Sequence, residues 1–298
     1  MTHKNQKSSP PVPPGVSDPS EDEAADAPAL AAILALMSRA SGLDLDCYKQ
    51  STLRRQVWRR CRALGLGTLE AYLAVLQADA GELARLQHGL LVSVSAFFRD
   101  GDVFKALRPA LEALVAARRP GEALRVWVPA CATGEEAYSI AMVLADTIGA
   151  ANWEIVGTDI SSRVLEKARS GHYSLDRIDG IPRPLLQRYC LKGNGQYEGT
   201  LLVTRELRQR VDFRYSNLMA PAKGLGSFDV IFLRNVMIYF DPETKRKVIN
   251  NLLPYLKADG HLLIGHSETL NGITSDVVAV RPTIYRRATQ SLAQAPQK

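Results

Sequence analysis

The chain has 298 residues, of which 46% are hydrophobic, and a formal net charge of +6. This length and composition allow one large or two ordinary domains with a sizeable core, and the mildly basic charge permits an acidic partner without requiring one. No apolar run approaches the ~18 residues of a membrane span, and the N terminus lacks the apolar region of a signal peptide. We therefore expect a cytoplasmic protein.

The cysteines and histidines argue against a metal site. The five histidines are scattered and form no zinc motif. The four cysteines lie far apart without metal-ligand spacing, which indicates reduced, mostly buried thiols. They are Cys47, Cys61, Cys131 and Cys190.

The first ninety residues divide into a tail and a helical region. Residues 1–27 are rich in proline, serine and acids, which predicts a disordered tail, and residues 289–298 are predicted to form a second one. Residues 28–90 carry apolar side chains at helical spacing and predict a small all-helical domain, with Ser51 or Thr52 capping its second helix. The four apolar faces are Leu30, Ile33, Leu34 and Met37; Leu53, Val57, Cys61 and Leu64; Leu69, Tyr72, Leu73 and Leu76; and Leu83, Leu86 and Leu90.

A basic stripe lies within this helical region. Six basic residues and no acid fall between Lys49 and Arg62. Helical spacing places Arg55, Arg59 and Arg62 on one face. Such a face is either simply solvated or a binding surface for an acidic partner, and the absence of any acid favours the partner.

Residues 91–288 alternate strands and helices, which predicts a doubly wound α/β sheet. Asp241 and Pro242 are predicted to cap and open a helix that runs through Leu256 to a turn at residues 257–260. Residues 171–212 interrupt the alternation with glycines and prolines and the strand-like Thr200–Val203, which predicts an inserted subdomain with a small antiparallel sheet. The predicted strands of the main sheet are Leu124–Val128, Trp153–Thr158, Arg210–Tyr215, Phe228–Leu233, His261–Gly265 and Thr283–Arg286.

Two acids follow the small-residue turn that ends the first predicted strand. Glu135 and Glu136 would repel a phosphate, but they suit a cationic ligand such as S-adenosylmethionine, which carries sulfonium and ammonium groups. The alternative is that they only stabilise a helix N terminus, an effect of roughly 0.3–1 kcal/mol.

Polar residues also end the next three predicted strands. Asp159 can accept from the ribose hydroxyls of a nucleoside cofactor, and Asn217 and Asn235 can contact an adenine or a methionyl group. Asp159 alone could equally cap the next helix, and Asn217 and Asn235 alone are more typical of turn residues. Because the carboxyl ends of parallel strands share one crevice, the set together favours a ligand site.

Two further features precede and follow this crevice in the chain. Phe97 and Phe98 are predicted to anchor a segment that directs Arg99, or else to be a buried aromatic pair beside a surface arginine. Tyr239 is either a core aromatic residue or a ring that lines the crevice.

Over roughly residues 30–287 the order and spacing of several blocks resemble the CheR-type chemotaxis receptor methyltransferases. The blocks are Ser95-Ala96-Phe97-Phe98-Arg99, Thr133-Gly134-Glu135-Glu136-x-Tyr138-Ser139, Phe228-Asp229, Arg234-Asn235-Val236-Met237-Ile238-Tyr239-Phe240 and Gly265-His266-Ser267-Glu268. The resemblance implies a class I S-adenosylmethionine-dependent methyltransferase fold. It implies a protein-glutamate O-methyltransferase that converts glutamate side chains of chemoreceptors to methyl esters, with S-adenosylhomocysteine as the other product, in chemotaxis-type adaptation.

The resemblance also implies site residues. Arg99 and Tyr239 match residues that border the methyl group and the incoming carboxylate, and we expect them to be catalytic. Ser93 departs from the family, whose members often carry Asn there, while Ser95 keeps the hydroxyl of the family's Thr. The matched cofactor contacts are Ser93, Ser95, Arg99, Glu136, Asp159, Asn217, Leu218, Arg234, Asn235 and Val236.

Receptor contacts follow from the same resemblance. The N-terminal helical domain is expected to meet acidic receptor helices, and Lys192-Gly193-Asn194-Gly195 of the inserted subdomain resembles the loop that docks a receptor C-terminal tail in some members. We expect a monomer that binds neither nucleic acid nor metal. The candidate receptor-binding residues are Arg54, Arg55, Arg59, Arg60 and Arg62.

Three other classes of protein compete with this interpretation. A nucleic-acid methyltransferase would suit the basic charge, but the chain shows no RNA-binding motif and no Asn/Asp-Pro-Pro-aromatic tetrapeptide. A non-catalytic cofactor sensor is disfavoured by the retained Arg99, Glu136, Asp159 and Tyr239. A nicotinamide oxidoreductase is disfavoured by the acidic turn. The receptor methyltransferase is the interpretation we favour.

Overall fold

The computed structural model describes residues 23–41, 45–90, 95–119, 121–149 and 151–288. The chain divides into two compact units, one within Met1–Asp46 and Gln50–Leu91 and the other within Cys47–Lys49 and Val92–Lys298. Most of the first predicted tail, all of the second and Ser93 lie outside the described residues. Within the described ranges, no helix combines the length and apolar character needed to cross a bilayer.

The first unit is helical, as predicted. Its helices are α1 (Glu23–Ser41), α2 (Gln50–Ala63), α3 (Leu69–Ala78) and α4 (Ala80–Leu90). The prediction of a disordered segment up to residue 27 is wrong from Glu23 onward. Asp26 explains the order, because its carboxylate accepts from Arg54 Nη2 at 2.9 Å and from Trp58 Nε1 at 2.8 Å. An acid that looks solvated in the sequence thus anchors α1.

Two details of α2 also differ from the prediction. Because the helix begins at Gln50, Ser51 and Thr52 lie in its first turn and do not cap it. Leu64 lies beyond the end of the helix and is 41% exposed, so it does not extend the buried face. The side-chain cap found in this region is Thr68, whose hydroxyl accepts from the amide of Ala71 at the start of α3.

The second unit is built on a seven-stranded sheet in the order β6-β2-β1-β7-β8-β10-β9. The first five of these strands pair in parallel, and β10 is antiparallel to both β8 and β9. The strands are β1 (Leu124–Pro129), β2 (Trp153–Asp159), β6 (Val211–Tyr215), β7 (Phe228–Leu233), β8 (Leu256–Ile264), β9 (Val277–Arg281) and β10 (Ile284–Arg287).

Helices cover both faces of this sheet, which confirms the doubly wound fold. Val126 and Val128 of β1 face a core shared with α5 and α6, whereas Trp127 between them faces a core shared with α10. This burial on both faces explains why the central strands are mostly apolar and do not alternate between apolar and polar residues. The helices of this unit are α5 (Gly101–Ala116), α6 (Glu135–Ile148), α7 (Ser162–Ser170), α8 (Arg183–Tyr189), α9 (Arg205–Arg208) and α10 (Pro242–Leu252).

The predicted small antiparallel sheet is present. It contains β3 (His172–Ser174), β4 (Cys190–Lys192) and β5 (Thr200–Val203), with β5 in the middle. This three-stranded sheet is separate from the main sheet, which the chain rejoins at β6.

The end of the chain differs most from the prediction. Asp241 does cap α10 and accepts from the amide of Thr244, but the helix ends at Leu252 and a short 3-10 turn follows at Leu253–Tyr255. The predicted turn at residues 257–260 is part of the long strand β8. Gly260 is required there by packing, because a Cβ at this position would lie 3.0 Å from the carbonyl oxygen of Asp229.

Candidate active site

The candidate residues gather at the carboxyl edge of the parallel strands. β1 ends at Pro129, β2 at Asp159, β6 at Tyr215 and β7 at Leu233, so the loops after these ends lie along the edge at which open α/β sheets bind their ligands in a crevice. Backbone strain concentrates near this edge, a pattern typical of functional sites. The non-glycine residues with positive φ in this region are Phe98, Asp100, Ala130, Ala132 and Asn235.

The turn after β1 separates the two acids that follow it. Gly134 has φ 90°, and a Cβ there would lie 2.9 Å from the Cβ of Ala168, so no other residue fits. The Glu135 side chain is fully buried and accepts from the Thr133 hydroxyl at 2.7 Å and 2.9 Å. Arg177 of the inserted subdomain pairs with the same carboxylate at 2.8 Å. Glu135 therefore holds the turn together and is not directed at a ligand.

Glu136 takes part in a different ion pair. Its carboxylate pairs with Arg234, whose side chain is 0% exposed and also donates to Asp100 Oδ2 at 2.7 Å and to the carbonyl oxygen of Arg99 at 3.2 Å. Burial raises the pKa of Glu136, and Arg234 opposes this effect. Arg99 is exposed, and its positive charge acts in the same direction as Arg234, against the rise in the pKa of Glu136. Arg234 thus ties the start of α6 to the segment that carries Arg99.

Asp159 is buried at the end of β2. Its Oδ2 accepts from the amide of Ala132 and its Oδ1 from the amide of Ser161, both at 3.0 Å. Burial raises the pKa of this carboxyl group, and these amides oppose the shift. Because each carboxylate oxygen can accept more than one hydrogen bond, the cap leaves capacity for a ligand hydroxyl. The capping and ligand-binding interpretations of Asp159 are therefore compatible.

Glu268 organises the loop after β7, a role that sequence reasoning missed. Its carboxylate accepts from the amides of Asn235 at 3.0 Å, Met237 at 2.8 Å and Gly265 at 2.6 Å. It therefore joins the loops that follow β7 and β8. The available signal was an acid four residues after the end of β8, inside a block already matched to the family. Half-buried Tyr239 lies in the 3-10 turn that this carboxylate supports.

The remaining predicted cofactor contacts lie in nearby loops. Asn217 Oδ1 accepts from the amide of Met219, so it forms an Asx turn, and the carbonyl oxygen of Leu218 accepts from Asn251. The carbonyl oxygen of Ser95 accepts from Arg177 at 3.0 Å. Val236 is half-buried beside the core shared with α10.

The basic stripe of the helical unit divides into two groups. Arg54 pairs with Asp26, and Arg60 binds the buried Glu82 through two hydrogen bonds of 2.6 Å and 2.8 Å. These two arginines therefore hold the helices together. The exposed arginines are Arg55, Arg59 and Arg62.

The crevice in the second unit fits S-adenosylmethionine. Glu136 and Asp159 supply negative charge for a cationic ligand, and Asp159 keeps acceptor capacity suited to a ribose. Arg234 Nε is buried without a hydrogen-bond partner among the described residues, as expected for a donor beside a ligand site. The fold and this site are those of an S-adenosylmethionine-dependent methyltransferase.

Comparison with known proteins gives the family. Residues 93–285 match the family described as "CheR methyltransferase, SAM binding domain", and residues 28–91 match "CheR methyltransferase, all-alpha domain". The chain therefore belongs to the CheR methyltransferase family and is an S-adenosylmethionine-dependent methyltransferase, as the sequence predicted.

Curated relatives agree with this assignment. The chain is 40% identical over 255 residues to the chemotaxis protein methyltransferase of Escherichia coli (strain K12), a match that covers 84% of this chain and 87% of the relative. It is 39% identical to the corresponding protein of Salmonella typhimurium, over 85% of this chain and 88% of the relative. It is 36% identical to chemotaxis protein methyltransferase 2 of Pseudomonas aeruginosa, over 84% and 89%.

Proposed function

We propose that this enzyme methylates glutamate side chains of chemoreceptors, giving glutamate methyl esters and S-adenosylhomocysteine. The names of the relatives support a chemotaxis protein as substrate. The observation that carries the proposal is the exposed Arg99, whose backbone carbonyl accepts from the buried Arg234 that pairs with Glu136, because a cation at the rim of a crevice suits an incoming carboxylate.

The chemistry needs alignment more than proton transfer. A glutamate side chain, with an ordinary pKa of about 4.3, is ionised at neutral pH, so its oxygen is already a nucleophile. S-adenosylmethionine supplies, when bound, a methyl group on a positively charged sulfur. The enzyme has to hold the two partners in line and exclude water.

Each predicted residue has a defined task in this proposal. Asp159 and Glu136 bind the cofactor, and Arg234 fixes Glu136 through its buried ion pair. Arg99 orients the substrate carboxylate, and Tyr239 forms a wall along the path of the methyl group. The other proposed cofactor contacts are Ser93, Ser95, Asn217, Leu218, Asn235 and Val236.

Transfer of labelled methyl to receptor-containing membranes tests the proposal. Label should enter a receptor-sized band and leave as methanol under mild base, because carboxyl methyl esters are base-labile. Arg99→Ala should reduce the rate of transfer by more than it weakens cofactor binding. A label that resists base, or full turnover by Arg99→Ala, would contradict the proposed chemistry.

We also propose that receptors contact two surfaces of the enzyme. The exposed Arg55, Arg59 and Arg62 suit acidic receptor helices. In the inserted subdomain, β4 is an edge strand with Leu191 56% exposed, and Tyr197 in the following loop is 53% exposed. An exposed edge can add an extended peptide as a further strand, which supports docking of a receptor C-terminal tail.

Tail docking has its own test. Lys192→Pro removes a backbone donor from the open side of the edge strand, because Leu191 and Gly193 on either side of it face β5, and should abolish binding of a receptor-tail peptide, measured by calorimetry. Lys192→Thr keeps that donor and serves as the matched control. Equal binding by the proline variant and the control would remove β4 as the docking edge.

A further inference from the structure

Residues Cys47–Lys49 group with the catalytic unit, although they lie between α1 and α2 in the chain. Tyr48 forms an antiparallel bridge with Phe240, and the amide of Lys49 donates to the carbonyl oxygen of Tyr239 at 2.8 Å. This short segment therefore pairs, by backbone contacts, with the loop that carries the candidate catalytic tyrosine.

The ring of Tyr48 is held firmly in place. It meets the ring of Phe240 edge-on, with 5.2 Å between centroids, and packs beside the core shared with α10. Phe240 is buried in that core. The tyrosine ring thus lies at the carboxyl edge of the sheet, against the loop that follows β7.

The hydroxyl of Tyr48 is the part of the side chain that the contacts with the loop after β7 do not use. Burial, and after it the negative charge of Asp159, raise the pKa of Tyr48 to about 12. The phenol therefore keeps its proton throughout the physiological range and remains a donor. Within the described ranges this hydroxyl makes no hydrogen bond, so its proton is available to a ligand.

We propose that Tyr48 is a cofactor-binding residue whose ring lines the crevice and whose hydroxyl donates a hydrogen bond to the bound nucleoside beside Asp159. The inference rests on the proposed role of Asp159 in holding the ribose. A ring and a backbone bridge are sufficient to support the loop after β7, and phenylalanine would provide both. The hydroxyl has no such structural use, so its function is separable by substitution.

Equilibrium binding of S-adenosylhomocysteine to the full chain, measured by calorimetry, tests the proposal without turnover. Tyr48→Phe keeps the ring and the bridge, and we expect its Kd to rise about 3- to 10-fold, the usual effect of one net hydrogen bond. Tyr48→Ala also removes the ring and should raise the Kd by roughly 30-fold or more. Tyr255→Phe makes the same chemical change just before β8, at the opposite end of that strand from the crevice, and should bind as the wild type does.

Two measurements make the outcome specific. Unaltered thermal melting of ligand-free Tyr48→Phe would show that the variant is folded, so that its weaker binding supports a direct contact. Wild-type affinity in Tyr48→Phe would overturn the proposal, even if Tyr48→Ala were unstable, because it would leave the tyrosine a structural role only. Asp159→Asn tests the proposed contact between Asp159 and the ribose separately. If this variant binds S-adenosylhomocysteine normally, Asp159 does not hold the ribose. If Asp159→Asn binds weakly and Tyr48→Phe binds normally, only the role of Tyr48 is refuted.

Discussion

Replacing Glu268 with glutamine tests whether one carboxylate fixes the loops of the crevice. Glu268 Oε2 accepts from two amides, those of Asn235 and Gly265, and Oε1 accepts from that of Met237. A glutamine can keep its oxygen at only one of these positions, so its NH2 group must face at least one amide donor. The variant loses one hydrogen bond to a charged acceptor, worth about 1.5–3 kcal/mol, and the remaining bonds become neutral and weaker.

We therefore expect Glu268→Gln to lower the free energy of unfolding by about 2–4 kcal/mol. Cofactor affinity should fall as well, by roughly 10-fold, because Asn235 and Val236 lie on the loop that is released. Urea unfolding followed by tryptophan fluorescence and calorimetry with S-adenosylhomocysteine measure the two effects. Glu166→Gln makes the same change on an exposed part of α7. If both variants behave alike, the carboxylate does not fix these loops.

Two further predictions concern the helical unit. The first is that reversing the charge of the exposed arginines of the basic stripe, by Arg55→Glu, Arg59→Glu and Arg62→Glu together, should reduce receptor methylation at least about 10-fold, because several favourable charge contacts become repulsive. The Kd for the cofactor should stay unchanged. The Arg60 guanidinium and other donors lower the pKa of Glu82 from 4.5 to about 2, so its contribution to stability is complete above pH 4.5 and is lost as the pH falls toward 2. Acid titration followed by circular dichroism should show this loss, and Glu82→Gln should reduce it; an unchanged acid profile would contradict the assignment.

The sheet could be predicted because its signals are local. Central strands such as Phe228–Leu233 are buried on both faces, so they appear as apolar runs, broken here only by Asp229. The edge strand β9 has only one buried residue in five and was not predicted, although four of its five residues are apolar. The prediction of a turn from Lys257 to Gly260 is wrong, although glycine after polar residues is typical of a turn. There the glycine instead serves a close approach to the backbone of β7, which depends on a residue about thirty positions earlier.

The candidate site could be predicted in its residue types but not in its pairings. Glu135 and Glu136 are adjacent, yet successive helical residues point about 100° apart, so one is directed to Arg177 and the other to Arg234. Which acid faces the crevice is decided by arginines that lie 42 and 98 positions further along the chain. Tyr48 shows the same limit more strongly, since its link to the site is a backbone bridge to Phe240 and no local pattern around residue 48 indicates it. The chemistry of a crevice at strand ends can therefore be inferred from the residues that follow the strands, whereas the orientation of each side chain is set by long-range partners.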